Sequence, residues 1–294
     1  MDSDLELKSR INYLEQELRL RDAEVARYRA ELNRANSELE KIIADLGQEL
    51  KMAAQIQKIL SPVEIPNISG FNFSTKFVAG TDRGGDYFDI FEHEDKMKFG
   101  VVLACSSGYS MSALFLSVLI KMSSQIEARK GMAPHIVLGQ MAKELVPNIE
   151  NRDTASVFYG VMDRRTFEFN FSSVGSLTGF LMPQGSDKVT KLLPSTGPFT
   201  KNYEEKPLAQ PLQLNARDRL ILCTEGVFLS KNAAGEIFGV QRMSEAVAKA
   251  ARSAVHDVRN EILFQVEQFT GSIEPERDQT VIVMEVKDRV IKLA

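Results

Sequence analysis

The chain has no proline before Pro62 and no glycine before Gly47, although its 294 residues hold 10 prolines and 18 glycines. Through that opening, apolar residues recur at alternating steps of four and three. One series runs Ile11, Leu18, Val25, Leu32, Leu39, Leu46, Ala53 and Leu60. The other runs Leu7, Leu14, Arg21, Tyr28, Ala35, Ile42, Glu49 and Ile56. A run with no helix breakers and a seam of period 3.5 predicts one long helix of coiled-coil type. Charge supports it: 20 of the first 50 residues are Asp, Glu, Lys or Arg, against 56 of the remaining 244. Arg21 and Glu49 interrupt the seam, and polar residues there set register or oligomeric state at some cost in stability. The expectation is a homodimer through residues 7–60, with residues 1–60 as coiled coil and signalling linker. A long single helix folded back on its own domain is the alternative.

The whole-chain balance excludes several functions. With 36 Lys+Arg against 40 Asp+Glu, the net charge is -4, unsuited to gripping a nucleic-acid backbone. Two cysteines, Cys105 and Cys223, cannot build a disulfide framework. No apolar run approaches the ~20 residues that a membrane-spanning helix needs. The opening Met-Asp-Ser-Asp does not resemble a secretory leader, so a cytoplasmic protein without membrane insertion is expected.

From residue 61 the pattern changes. Strands are expected at Phe71–Val78, Lys98–Ala104, Thr154–Met162, Thr166–Ser173, Leu177–Met182, Val189–Leu193, Asp218–Thr224 and Gln279–Val286. Helices are expected at Ser112–Ile126 and Ala133–Val146, and a helical block at about Gln241–Phe269. Strands around paired helical blocks make residues 61–294 an α+β layered domain.

Seven blocks in order carry a resemblance. They are Ala54-x-Ile56-Gln57-Lys58-Ile59-Leu60-x-Pro62, Gly84-Gly85-Asp86-Tyr87-Phe88-Asp89, and Val157-Phe158-Tyr159-Gly160 with Met162-Asp163. Ser173–Gly175 follows, then Asp218–Val227, then Asn232 with Gly235-Glu236 and Phe238-Gly239, and last Arg277-Asp278-Gln279-Thr280. The domain resembles the PPM-type (PP2C-like) metal-dependent serine/threonine phosphatases, in their bacterial RsbU/SpoIIE-like branch. The resemblance covers about residues 52–290. It implies an α-β-β-α sandwich and acidic residues holding two Mn²⁺ or Mg²⁺ ions, which activate a water against a phosphoserine.

The acidic positions depart from that pattern. Asp86 keeps the first. Where the family reads Asp-x-x-Gly-His-Gly, this chain has Cys105-Ser106-Ser107-Gly108-Tyr109-Ser110, so Cys105 replaces the bridging carboxylate. Thr224-Glu225-Gly226 stands for Thr-Asp-Gly and lengthens the acidic arm by one methylene. Arg277-Asp278-Gln279-Thr280 stands for Asp-Asp-x-Thr, so Arg277 replaces a ligand. These changes shift the pocket by about three charge units, and an arginine cannot shed its proton. No metal cofactor is therefore expected. Asp86, Glu225 and Asp278 remain as acidic candidates, and Arg277 is expected to pair with Asp86 or Glu225. Asp89 reads as a supporting or surface carboxylate, Arg83 as a phosphate-facing or surface cation, and Cys223 as a small core residue.

The leading reading is a phosphatase-like signalling protein, inactive or strongly impaired, that acts through partner binding and dimerisation. The resemblance implies a STAS-domain protein, a serine kinase or a response regulator as partner. A metal-dependent phosphoprotein phosphatase with an altered metal site, using Mn²⁺ or Mg²⁺, and a coiled-coil scaffold are the alternatives.

Overall fold

The computed structural model describes residues 2–60, 65–81, 85–107, 110–150, 152–186, 188–192 and 194–287. Arg83, Gly84, Gly108, Tyr109 and Pro62 lie outside them. The chain divides into two units, Met1–Ala54 and Gln55–Ala294.

The first unit lies in one helix, α1 (Asp2–Leu60). Arg27 pairs with Glu31 and Arg34 with Glu38 at the i,i+4 spacing that favours isolated helices. Among the described side chains the expected seam is bare: Leu18 is 63% exposed and Leu32 62%. Over residues 10–45 the helix buries no face of its own.

In the second unit, β1 (Phe71–Val78), β2 (Tyr87–Glu92) and β3 (Lys98–Ser107) precede α2 (Ser110–Glu127) and α3 (Pro134–Leu145). Next come β4 (Thr154–Asp163), β5 (Glu168–Val174), β6 (Thr178–Met182), β7 (Thr190–Leu192), β8 (Gln210–Gln213) and β9 (Arg219–Cys223). The short α4 (Glu225–Phe228), then α5 (Gly239–Lys249), α6 (Val255–Thr270) and β10 (Gln279–Val286) complete it.

The strands form two five-stranded sheets, ordered β1-β10-β9-β6-β7 and β2-β3-β4-β5-β8. All their strand pairs are antiparallel. α2 and α3 pack on the second sheet, and α5 and α6 on the first. The architecture is thus an α+β sandwich of two antiparallel sheets flanked by helices, PP2C-like.

Strand alternation explains the layers. On β9, Leu220 and Leu222 enter the core between the sheets, while Ile221 and Cys223 enter the core under α5 and α6. On β10, Ile282 and Met284 face inward, while Val281 and Val283 face the helices. Burial on both faces is why these strands read as continuous apolar runs.

Three details differ from expectation. The block Gln241–Phe269 is two helices, because Ala254 is extended and its backbone N–H donates to Asp257 Oδ2 at 3.2 Å, starting α6 afresh. β2 falls where a site motif was read without assigning a strand. β8 contains Pro211 and lies at a sheet edge, where proline is tolerated.

Candidate functional site

Three parts of the chain meet at one place: Gly80 and Asp86 between β1 and β2, Thr224 with α4, and residues 277–280. Two threonines hold the first carboxylate. Thr224 Oγ1 and Thr280 Oγ1 donate to Asp86 Oδ2 at 2.7 and 2.8 Å. Thr224 Oγ1 also accepts from the Thr280 backbone N–H at 2.9 Å, so the hydroxyls are fixed by the sheet itself. Asp278 reaches the same loop. Its Oδ1 accepts from the Gly80 N–H at 2.8 Å, and its Oδ2 lies 3.5 Å from the Asp86 N–H.

Two glycines permit this approach. A Cβ on Gly80 would lie 2.4 Å from the Arg277 carbonyl carbon, and one on Gly226 would lie 2.0 Å from the Asp278 carbonyl oxygen. Both glycines thereby lie directly against the Arg277-Asp278 step. Opposite it, Glu225 opens α4, and Arg277 Nη1 donates to Glu225 Oε1 at 3.1 Å. The glutamate is mostly covered, with 14% of its side chain exposed against 53% for the arginine.

Electrostatics follow from burial. The Asp86 carboxyl is pushed well above the usual carboxylate range by burial first, then by the charges of Asp278 and Glu225; the two threonine hydroxyls oppose the shift. Burial also raises Glu225, and Arg277 pulls it back. Cys105, buried at the end of β3, is pushed well up by burial and by Glu225 and Asp86. The Glu225 backbone N–H and the Ser156 hydroxyl only partly offset this. Cys105 is accordingly a neutral thiol at neutral pH, a poor ligand for a hard cation.

All five singled-out positions, Asp86, Cys105, Glu225, Arg277 and Asp278, thus fall in one neighbourhood. Other residues lie in contacts of their own. Asp89 Oδ2 accepts from the Tyr87 hydroxyl at 3.3 Å. His93 meets the Tyr159 hydroxyl, and His256 meets Ser74. Sequence reading missed Thr224, Thr280, Gly80 and Gly226 as site residues, although three of them lie inside the quoted motifs.

The residues do not fit the pair of divalent ions that the resemblance implies. One oxygen of Asp86 already accepts two hydroxyls, Cys105 offers sulfur where a hard cation takes oxygen, and Glu225 is engaged by a guanidinium. A dication placed beside that guanidinium would be repelled by it. Among the described residues no group of three or more His, Cys, Asp or Glu side chains is placed to hold a metal ion. Beside the site lies a groove of about 890 Å³ that Gly226, Arg277 and Gln279 help to line. Ile237 and Ile273 stand on its walls, 47% and 79% exposed. No helix among the described residues is long and apolar enough to cross a membrane.

Comparison with known proteins agrees with the fold. Residues 95–287 match the family model described as Stage II sporulation protein E (SpoIIE). The chain is 22% identical over 186 residues to phosphoserine phosphatase RsbU of Bacillus subtilis, covering 62% of this chain and 54% of that protein. The chain therefore spans about half of that relative's length. Among solved structures, the SiaA-PP2C domain of Pseudomonas aeruginosa is similar with a TM-score of 0.65 at 16% identity, covering 83% of this chain and 98% of that one. The phosphatase domain of SpoIIE from Bacillus subtilis, with a fragment of its regulatory domain, gives 0.62 at 21%, covering 74% and 64%.

Proposed function

The chain belongs to the Stage II sporulation protein E (SpoIIE) family, and from that premise we propose that it is a phosphatase-like signalling protein with little or no hydrolytic activity. The observation that carries the reading is the 3.1 Å pair of Arg277 with Glu225, formed at two positions where the family's pattern has metal-binding carboxylates. In-line attack on a phosphoserine needs an activated water and neutralised phosphate oxygens. The residues here supply a protonated thiol, a carboxyl raised by burial and an arginine occupied by its own glutamate. The surface around this pair, opening on the adjacent groove, then serves to bind a partner protein. By resemblance that partner is a STAS-domain protein, a serine kinase or a response regulator.

The exposed 4–3 seam of α1 supports a second element of the proposal. Leu18, Val25, Leu32 and Leu39 are all about half exposed or more in the single chain. Burying such a stripe against a second copy is the usual outcome for a heptad helix. Residues 7–60 would then form a homodimeric coiled coil that links partner binding to assembly.

The competing reading is a metal-dependent protein serine/threonine phosphatase with an altered site. It draws on the retained carboxylates of Asp86, Glu225 and Asp278 and on the likeness to RsbU. Affinity capture from a lysate with the wild-type chain and with Arg277→Glu, followed by phosphoserine-peptide hydrolysis with Mn²⁺ or Mg²⁺, separates the two. A partner lost in the variant and no metal-stimulated hydrolysis are expected. Hydrolysis that disappears in Asp86→Ala would replace this reading with the enzymatic one.

A further inference from the structure

We propose that Arg277 is the resident cation of this site: its guanidinium takes the electrostatic place of divalent metal, neutralising Glu225 and tying α4 to the 277–280 strand entrance. The inference rests on the metal-free reading above and adds what replaces the ions. Three acidic side chains, Asp86, Asp278 and Glu225, share this neighbourhood, and like charges there disfavour ionisation unless donors or a cation offset them. Asp86 receives two hydroxyl donors and Asp278 two backbone N–H groups, one of them at 3.5 Å. Glu225, mostly covered, receives the guanidinium.

The backbone around Arg277 is built for that contact. Gly80 and Gly226 both lie against the Arg277-Asp278 step, leaving no room for a side chain at either position. Gly226 directly follows Glu225, so the same close approach that admits the Asp278 carbonyl sets the glutamate across from the arginine. The guanidinium keeps its charge at any ordinary pH and, unlike an ion, need not be recruited from solution. The device also differs from a metal site in its response: it cannot be emptied by a chelator, and it holds α4 and the groove beside it in place at any metal concentration.

The test is thermal unfolding of the full chain in a chelator and in about 1 mM Mn²⁺, with Mn²⁺ binding followed by calorimetry. Wild type should give the same Tm in both and no saturable binding. Arg277→Met should lower Tm by about 2–4 °C in chelator, as removal of a partner from a covered carboxylate predicts for a domain of this size. Arg277→Lys, which keeps the charge, should recover most of that loss, a result that lost packing alone would not give. Arg277→Asp should lose stability in chelator and regain it with saturable Mn²⁺ binding. Wild type that binds Mn²⁺, Arg277→Met with unchanged Tm, or Arg277→Lys no better than Arg277→Met would each overturn the assignment. These readouts do not depend on turnover. A wild-type chain that hydrolysed phosphoserine yet kept the predicted Tm pattern would sink the proposed function and spare this one.

Discussion

The Thr280 hydroxyl and the Asp86 carboxylate meet at 2.8 Å, joining residues 194 positions apart. Thr224 reaches the same oxygen from the other side. The one acidic residue kept at the family's first position is therefore held by side chains of β10 and of the turn after β9. Thr280→Val keeps the shape and removes one donor. It should destabilise the domain by about 1–2 kcal/mol in urea unfolding. No change would mean that the hydroxyl is not engaged with Asp86.

Asp86 itself should limit stability at neutral pH. Its pKa in the fold lies above the unfolded value, so the folded chain keeps a proton that the unfolded chain has released. Stability from this group is full below about pH 4 and falls as pH rises through the folded value. Asp86→Asn, which still accepts from both threonines, should therefore unfold at higher temperature than wild type at pH 8, with the advantage shrinking towards pH 4. An equal difference at both pH values would contradict the sign.

Gly226→Ala places a methyl 2.0 Å from the Asp278 carbonyl oxygen. The backbone must separate there, at about 1–3 kcal/mol. Gly235→Ala offers a control: its backbone is left-handed, but nothing lies within 4 Å of the added carbon. Loss from strain alone should be about 1 kcal/mol. If the two variants unfolded alike, the close approach at Gly226 would carry no special cost.

The bare seam of α1 makes a prediction about assembly. Light scattering should give twice the chain mass for wild type, and the monomer mass for Leu18→Glu/Leu32→Glu in the full chain. Burying two charges in a heptad seam is expected to dissociate it. A monomeric wild type would remove the coiled coil from the account.

How much of this was legible beforehand depended on the range of the interaction. The strands β3, β9 and β10 were readable because both their faces are buried, which leaves an apolar run in sequence. The substitutions Cys105, Glu225 and Arg277 were readable because each falls inside a short motif. β8 was not, since its four residues include Pro211 and alternate only between partial and full exposure. Nor was the pinning of Asp86, or the close approach of Gly80 and Gly226 to Arg277-Asp278. Those contacts join residues far apart in sequence, and only the sheet register brings them together. Of the two partners foreseen for Arg277, the fold supplies Glu225, while Asp86 turns to the threonines.

In the proposed function, Cys105, Glu225 and Arg277 disable metal-assisted hydrolysis on an otherwise intact scaffold. Phosphoserine-peptide hydrolysis in Mn²⁺ by the full wild-type chain, beside Cys105→Asp/Glu225→Asp/Arg277→Asp, tests it most directly. Wild type should show no metal-dependent turnover, and the triple variant should show turnover that disappears on adding Asp86→Ala. Metal-stimulated turnover by wild type, lost in Asp86→Ala, would contradict it.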